Sequence, residues 1–436
     1  MHLFSFSHRS PEAETLNLNS PRFHRARSDP HRAASSNRSY AQLAATFHRL
    51  TFLSVVAIAA LIALRNISAA EDERISVYGT AKVRVIPISL SGYSGEAASV
   101  LRFDLEIAGF DITDPDKAQY LLSGKNDGGQ VEGRLQDRLN KANLLAKAYT
   151  GDTTRSQAHA LADDVVMTIL RVPGIARSRI AFRQDRAGGT GEIYLADYDG
   201  QNAKPVTQDN AIVAAPTWVP THWHLFYTSY KSGYPWIYSH NLTTGERRPF
   251  ARFPGLNSSA AISPDGNRVA MILSKSGSPD LWVCNIDGTG LTQLTKTPED
   301  ESSPCWSPNG KTICFASKIN ERRSLVLIPS TGGAATRLRT DGISNPSEPD
   351  WSPDGNTIVF TSQMGNFNIC TVPAAGGVAE PIVAGEDPSW APNSRTVIFT
   401  KRVGGKRILS LLDVPTKRVK DTAQISGSRS QPSWAK

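Results

Sequence analysis

The chain ends on QPSWAK at 431–436, and the same Pro-x-Trp begins a longer phrase at two places upstream. These phrases are PCWSPNGKTICFAS at 304–317 and PDWSPDGNTIVFTS at 349–362. In both of them a strand-like Ile-x-Phe begins seven residues after the Trp, whereas the final copy stops two residues after it. Far upstream, SRIAF at 178–182 supplies an Ile-x-Phe that no Trp precedes.

The phrase recurs six times, at spacings of 39 to 45 residues. All six copies hold a slot that is usually Trp, and all but the last continue into a turn such as SPDG and further short apolar segments. Four short strands joined by tight turns in a unit of this length are typical of a β-propeller blade. The six slots are Trp218, Ile262, Trp306, Trp351, Trp390 and Trp434.

The two half-copies predict how the ring closes. We expect Trp434 to lie beside Ile180 and Phe182 in one sheet, because such pairing removes an open strand edge. The predicted fold class is mainly β: a six-bladed β-propeller over 176–436, preceded by a small α/β domain over 71–175, with the ring closed by the two ends of the propeller segment. A β-sandwich, or two unrelated β-domains, is the alternative that the matching half-copies argue against.

The segment before the repeat has the pattern of a small α+β domain. Apolar residues at helical spacing predict two amphipathic helices, and alternating segments predict strands. His159 lies at the border of the second helix's apolar face, and we expect it to have a packing or hydrogen-bonding role. The helices are predicted over 95–109 and 156–174, and the strands over 82–90, 118–124, 130–138 and 143–151.

Residues 1–70 have the pattern of a targeting segment. A basic stretch precedes the apolar run LTFLSVVAIAALIAL at 50–64, and small residues follow up to Ala70. As a helix the run is about 22 Å long, which is shorter than the ~30 Å hydrocarbon core of a bilayer. The pattern therefore favours a secretory signal peptide, with an uncleaved membrane anchor as the alternative.

Charge and cysteine content exclude some classes of function. The net charge is +8, but most of it falls within 1–70, and the globular part contains no Arg/Lys-rich run interleaved with aromatic residues. The charge therefore does not indicate nucleic-acid binding. The four cysteines have no zinc-site spacing, and we expect buried thiols without disulfides. A three-residue bulged turn after Ser307 would set Cys305 opposite Ile313 and not opposite Cys314.

Sequence motifs of known catalytic and metal sites are missing. No Gly-x-Ser-x-Gly occurs, and Gly92-Tyr93-Ser94-Gly95 at 92–95 has the wrong spacing for a nucleophile elbow. His222 and His224 lack a third metal ligand, and no Gly-rich phosphate loop precedes a helix. We therefore predict no catalytic residue, cofactor or metal. An exported propeller hydrolase or lactonase-like enzyme, with carboxylates at the tunnel mouth, stays open as the alternative.

Three stretches resemble a known family of propeller proteins. AHALADDVVMTILRVPGIARSRIAF at 158–182 is similar to the helix, Pro-Gly-Ile turn and first propeller strand of the TolB family. RISVYGTAKVRVIPISLSGYSG at 74–95 is similar to that family's opening strand, and the WSPDG repeat also matches. The resemblance covers about 71–436.

The resemblance implies a monomeric periplasmic scaffold of the Tol-Pal system that maintains the outer envelope and supports cell division. One propeller face would bind a Pal-like lipoprotein, the peptidoglycan-associated partner. The mature N-terminal strand and the α/β domain would meet a TolA-like inner-membrane protein. The strand residues implied in this second contact are Glu71, Arg74, Ile75, Ser76 and Val77.

Overall fold

The computed structural model describes residues 85–319, 322–423 and 427–435. All of these belong to one compact unit spanning Thr80–Lys436. The predicted signal or anchor segment lies outside the described residues, and so do the five N-terminal partner residues from Glu71 to Val77. Among the residues that are described, no helix is both long and apolar enough to cross a membrane.

A five-stranded mixed sheet and two helices form the α/β part. The sheet has the strand order β2-β1-β3-β4-β5, and the apolar faces of both helices pack on it around Leu101, Leu105, Leu161 and Val165. The helices are α1, Gly95–Ile107, and α2, Thr154–Leu170. The strands are β1 Ile86–Ser91, β2 Phe110–Ile112, β3 Tyr120–Lys125, β4 Val131–Asp137 and β5 Asn143–Tyr149.

Two details of this part differ from the sequence-based prediction. The three-residue strand β2 was missed, because it is too short to show a period. Helix α2 ends at Leu170, where Arg171 takes a left-handed cap (φ 59°), and therefore stops before the predicted Pro173-Gly174. Helix α1 ends close to its predicted stop at Gly109, whose φ of +95° suits glycine and whose missing side chain leaves room for Arg395 of the propeller.

Six four-stranded antiparallel sheets form the propeller. We number the closing blade 1 and count strands outward from the channel. The first strands are Arg429–Trp434, Val213–Trp218, Asn257–Ile262, Glu301–Trp306, Pro346–Trp351 and Glu386–Trp390. The second strands are Arg179–Asp185, His224–Ser229, Arg268–Leu273, Thr312–Ile319, Thr357–Met364 and Thr396–Val403.

The outer half of each blade is less regular. The third strands are Gly191–Asp197, Trp236–Asn241, Asp280–Asn285, Arg322–Pro329, Asn366–Pro373 and Lys406–Asp413. The fourth strands are Lys204–Pro205, Arg247–Ala251, Thr292–Gln293, Thr336–Arg337, Glu380–Ala384 and Arg418–Asp421. A 3-10 turn at Ala187–Gly189 and a small parallel pair, Thr340–Asp341 with Gly377–Val378, complete the structure.

The predicted closure of the ring is confirmed. The last strand pairs antiparallel with the first strand after the α/β part, and Trp434 stands opposite Ile180. Trp434 is 2% exposed, packs in one cluster with Ile180 and Phe182, and donates its indole N–H to Ser178 Oγ at 2.7 Å. Blade 1 therefore consists of both ends of the propeller segment.

Hydrogen bonds from side chains within the SPDG turns stabilise these turns. Ser263 Oγ accepts the N–H of Arg268 at 2.9 Å and donates to the Asp265 carboxylate, which also accepts the N–H of Asn267 at 3.1 Å. The same bonds recur in the turns after Ser307 and Ser352. The aspartate is thus a turn residue, as an Asx-turn role requires.

The predicted register of the Cys305 hairpin is wrong. The turn holds four residues, because Ser307 N–H donates to Thr312 O and the Ser307 hydroxyl takes the N–H of Thr312 in return. The extra residue shifts the pairing by one, so Cys305 stands opposite Cys314. The expectation of thiols is confirmed for Cys284, Cys314 and Cys370, and all four cysteines are buried.

A buried polar cluster joins the α/β part to blade 1. Asp104 of α1 accepts the Tyr198 hydroxyl at 2.5 Å through Oδ1, and its Oδ2 lies 2.7 Å from Nδ1 of His159 on α2. Tyr198 follows the third strand of blade 1 and also contacts the Trp434 ring. The expected hydrogen-bonding role of His159 is therefore confirmed. Because Asp104 of α1 binds one partner on α2 and one on the propeller, it fixes how the α/β part sits on the closing blade.

Candidate functional site

The main cavity of the described residues is the central channel of the propeller, with a volume of about 550 Å³. It opens at the end where turns join the first and second strands of blades 2 to 6, which we call the channel mouth. Five prolines from these turns surround the mouth and, having no N–H groups, offer it no backbone donor. They are Pro220, Pro264, Pro308, Pro353 and Pro392.

A β-bulge in every first strand shapes the channel wall. In each blade two consecutive residues of the first strand face one residue of the second, and the register shifts there by one. In blade 1, for example, Gln431 and Pro432 face Phe182. A bulge of this kind bends its strand and re-aims side chains, and here the bulged residues line the channel.

The first residue of each bulge, which we call the bulge residue, lies three positions before the Trp slot. All six have a left-handed backbone with φ from 49° to 55°, which non-glycine residues adopt rarely. Six recurrences in equivalent positions show that the ring geometry imposes this conformation. The bulge residues are Ala215 (φ 49°), Ser259 (55°), Ser303 (52°), Glu348 (52°), Asp387 (54°) and Gln431 (52°).

Hydrogen bonds pass from bulge residue to bulge residue over half of the ring. Glu348 Oε2 accepts the N–H of Asp387 at 3.0 Å, Asp387 Oδ2 accepts the N–H of Gln431 at 3.1 Å, and Gln431 Oε1 accepts the N–H of Ala215 at 3.0 Å. We call this chain of contacts the relay. It ties blades 5, 6, 1 and 2 together across the closing blade.

Three carboxylates give the channel its charge. Glu348, Asp350 and Asp387 line one side of it, on blades 5 and 6, and no Lys, Arg or His is among the described lining residues. Each of the three accepts a backbone N–H of the neighbouring blade, that of Trp390 in the case of Asp350. These acids therefore already serve contacts between blades.

Burial and the nearby charge of Glu348 raise the pKa of Asp387 above its ordinary range. A raised carboxyl pKa means that the folded state holds a proton more tightly than the unfolded chain does. The stability that this proton supplies is present in full below about pH 4 and is lost as the pH rises through the raised pKa.

We therefore expect Asp387→Asn to make the protein more stable than the wild type at pH 8. The amide cannot ionise, yet its oxygen can still accept the N–H of Gln431 and the hydroxyl of Thr400. The gain should be about 1.4 kcal/mol for each unit by which the pKa is raised. Thermal unfolding between pH 5 and pH 8 should show a flatter pH dependence for the variant.

Asp265→Asn is the matched control for this prediction. Hydrogen bonds from Ser263 and Asn267 lower the pKa of Asp265, so its contribution to stability is lost only as the pH falls below about 4. Its stability curve between pH 5 and pH 8 should run parallel to that of the wild type. Equal slopes for wild type and Asp387→Asn over this range would contradict the prediction.

Two of the residues predicted to close the ring, Trp434 and Phe182, lie at or next to the channel. The sequence analysis did not identify most of the residues that line the channel. Trp434 lines the cavity, and Phe182 faces the bulge of Gln431. Glu348, Asp387 and the other bulge residues were not singled out. The sequence signal that could have found them is their fixed position, three residues before each slot. That position becomes informative only when the β-bulge is known, because the bulge turns these residues toward the channel.

The candidate catalytic and metal residues lie elsewhere. His222 and His224 are not among the lining residues, and His224 Nε2 lies 2.7 Å from the Ser239 hydroxyl. The described part of the chain contains no group of three or more His, Cys, Asp or Glu side chains able to hold a metal ion. Ser94 precedes helix α1, where its N–H donates to the side chain of Asn126.

Comparison with known proteins gives a consistent match. A family model described as the TolB beta propeller domain matches residues 167–436. The Tol-Pal system protein TolB of Anaeromyxobacter dehalogenans is 32% identical over 301 residues, which are 59% of this chain and 67% of that protein. The Tol-Pal system protein TolB of Bordetella pertussis is 30% identical over 229 residues, which are 51% of this chain and 52% of that protein.

A solved structure agrees with the fold. The crystal structure of TolB from Acinetobacter baumannii superposes with a TM-score of 0.74, covering 80% of this chain and 96% of that chain. The sequence identity is 21%, so this likeness shows the fold alone.

Proposed function

The chain belongs to the TolB β-propeller family, and on this basis we propose that it is a periplasmic, non-enzymatic scaffold of a Tol-Pal-like system. It would bind a Pal-like lipoprotein at the channel mouth and a TolA-like inner-membrane protein through its N-terminal strand and α/β domain. We further propose a division into a targeting segment over 1–70, an α/β domain over 71–175 and a propeller over 176–436. Such a scaffold would maintain envelope integrity and support cell division.

One observation carries the proposal: proline turns edge the channel mouth, and the acids of the channel wall already accept hydrogen bonds from neighbouring blades. A propeller hydrolase would need carboxylates free to move protons to and from a substrate. Glu348 and Asp387 instead accept backbone N–H groups and the hydroxyls of Thr361 and Thr400. Rigid rings that present turns at one end suit protein partners.

The test is a pull-down of the organism's Pal-like lipoprotein by the exported protein. Thr221→Arg places a long cation at the channel mouth and should reduce capture at least tenfold, because the side chain would occupy the partner's place. The matched control is Asn366→Arg, which changes an exposed residue at the start of the third strand of blade 5, at the opposite end of the ring. Equal capture by both variants would place the contact elsewhere.

A second arm of the same experiment addresses the N-terminal strand. Deleting 71–79 should abolish crosslinking to a TolA-like protein and leave capture of the lipoprotein intact, because the two contacts use different parts of the chain. Loss of both contacts on this deletion would contradict the proposed division of labour.

A further inference from the structure

The end of the propeller opposite the channel mouth, which we call the rear face, is formed by hairpin turns. The second strand of each blade runs away from the mouth and the third runs back, so the turns between them lie together at this end. The α/β part contacts blades 1 and 6 at Tyr198 and Arg418, near the mouth-end turns, and leaves the tips of the rear turns exposed. With two residues on either side, the described parts of these turns are the rear hairpins, 184–192, 228–237, 272–281, 318–319, 322–323, 363–367 and 402–407.

The rear hairpins expose their cations and bury their acids. Asp185 is half-buried, and Glu192 and Asp280 are completely buried. The described rear hairpins therefore contain no exposed acid, and their tips present positive charge to solvent. The exposed cations include Arg186, Lys275, Arg322, Arg323, Arg402 and Lys406.

Part of this positive charge is not neutralised by the protein. Arg322, Arg323 and Lys406 form no ion pair with a described residue. Arg323 also stands directly opposite Lys318 in the sheet of blade 4. Like charges that face each other across two strands destabilise the pairing, and an external anion relieves their repulsion. This arrangement therefore favours an anionic partner at the rear face.

Large apolar side chains are exposed at the same end. Val403 faces Lys406 across a turn of two glycines and is 48% exposed, and Tyr234 is 66% exposed. The Tyr230 N–H donates to Ile212 O at 2.9 Å, which places Ile212 beside the rear hairpin of blade 2. Exposed apolar residues grouped in this way mark a surface for a protein or a membrane. The apolar residues exposed here are Ile212, Tyr230, Tyr234, Met364 and Val403.

We propose that the rear face binds the surface of an anionic phospholipid membrane. The cations would contact the lipid phosphates, while the tyrosines, Met364 and Val403 would enter the headgroup region, where amphipathic rings and short apolar tips are stable. A soluble polyanion would use the cations and gain nothing from the apolar tips. The apolar run at 50–64 predicts that this chain meets a membrane during export.

This inference goes beyond the proposed function and does not rest on it. Because the rear hairpins and the channel mouth lie at opposite ends of the ring, a molecule bound to lipid by its rear face would hold the mouth away from the membrane. Lipid contact and capture of a protein partner at the mouth are therefore compatible and can be measured separately.

The first experiment locates the contact with an environment-sensitive nitrobenzoxadiazole dye on the exported protein. The dye is attached to Asn366→Cys in a rear hairpin or to Thr243→Cys, an exposed residue in a turn at the mouth end. All four native cysteines are buried, so the introduced thiol is the one that reacts. Vesicles of phosphatidylcholine and phosphatidylglycerol should shift the emission of the rear dye to the blue and leave the other dye unchanged. A shift of the Thr243→Cys dye alone would overturn the inference.

The second experiment removes charge. Arg323→Gln with Lys406→Gln should raise the lipid concentration at half-binding at least tenfold, because each cation near an anionic membrane strengthens binding about fivefold. The matched control, Lys204→Gln with Lys311→Gln, removes the same charge from exposed sites at the mouth end and should stay within about twofold of wild type. Thermal unfolding checks both folds, and Lys406→Gln alone serves if the double variant unfolds. Equal weakening by both pairs would contradict the inference.

The third experiment separates a membrane from a soluble polyanion. Tyr234→Ser with Val403→Ser should weaken binding to the mixed vesicles and leave any binding of poly-L-glutamate unchanged. If this variant binds the vesicles as wild type does, the apolar tips do not enter lipid and the rear face is a polyanion surface instead. None of these readouts involves the Pal-like lipoprotein, so the inference and the proposed function can fail independently.

Discussion

Deletion of residues 431–436 is expected to abolish the closed ring. The deletion removes Trp434, and loss of a buried Trp side chain alone costs about 3–5 kcal/mol. It also removes the pairing with Ile180 and leaves the strand Arg179–Asp185 as an open edge facing the channel. The sum approaches the whole stability of a typical domain, which is about 5–15 kcal/mol. Denaturant unfolding should show loss of the cooperative transition or a large drop in its midpoint.

Two point variants calibrate this result. Trp434→Ala should lie between wild type and the deletion, because the strand can still pair. Trp351→Ala removes the same residue type from the same slot in blade 5, but Trp351 is only half-buried and bonds to Gly355 within its own turn. Its cost should be clearly smaller. A deletion variant that melts at the wild-type temperature would show that the pairing of the last strand with Arg179–Asp185 does not hold the ring together.

Asp104→Ala is expected to have the second largest effect. The substitution leaves the Tyr198 hydroxyl and the His159 Nδ1 buried without their partner. Each buried polar group that loses its hydrogen bond costs about 1–3 kcal/mol, so the total should be about 2–6 kcal/mol. Because Asp104 joins both helices to blade 1, we also expect limited proteolysis to cut between the α/β part and the propeller. Chemical denaturation together with mapping of the cleavage products measures both effects.

Two further variants set the scale. Tyr198→Phe keeps the ring contact with Trp434 and leaves one Asp104 carboxylate oxygen without its donor, so it should cost about 1–3 kcal/mol. Asp111→Ala breaks an exposed ion pair with Arg418 at 3.4 Å between the same two parts, and should cost less than about 1 kcal/mol. If Asp104→Ala were no more harmful than Asp111→Ala, the buried cluster would not be what orients the α/β part.

Periodic features were predictable from the sequence. The six slots and the divided blade follow from the spacing of residues along the chain. Trp434 could be paired with Ile180 because one end has a slot without its strand and the other end has a strand without its slot. Helices α1 and α2 were found because their apolar residues recur at helical spacing. The end of α2 was not predictable from the sequence, since Arg171 takes the left-handed cap that glycine usually takes.

What the sequence alone determined was therefore the number of blades, the closure of the ring and the presence of a small α/β part, since these depend on patterns between near neighbours. Three further features are defined by tertiary contacts: the register of Cys305 and Cys314, the docking of Asp104 and the bulges that line the channel. The relay joins residues 39, 44 and 216 positions apart, and no local pattern specifies such contacts. A bulge residue faces the channel only because the neighbouring strand fixes its register. Its contact with the next blade can therefore be recognised only in the assembled ring of six blades.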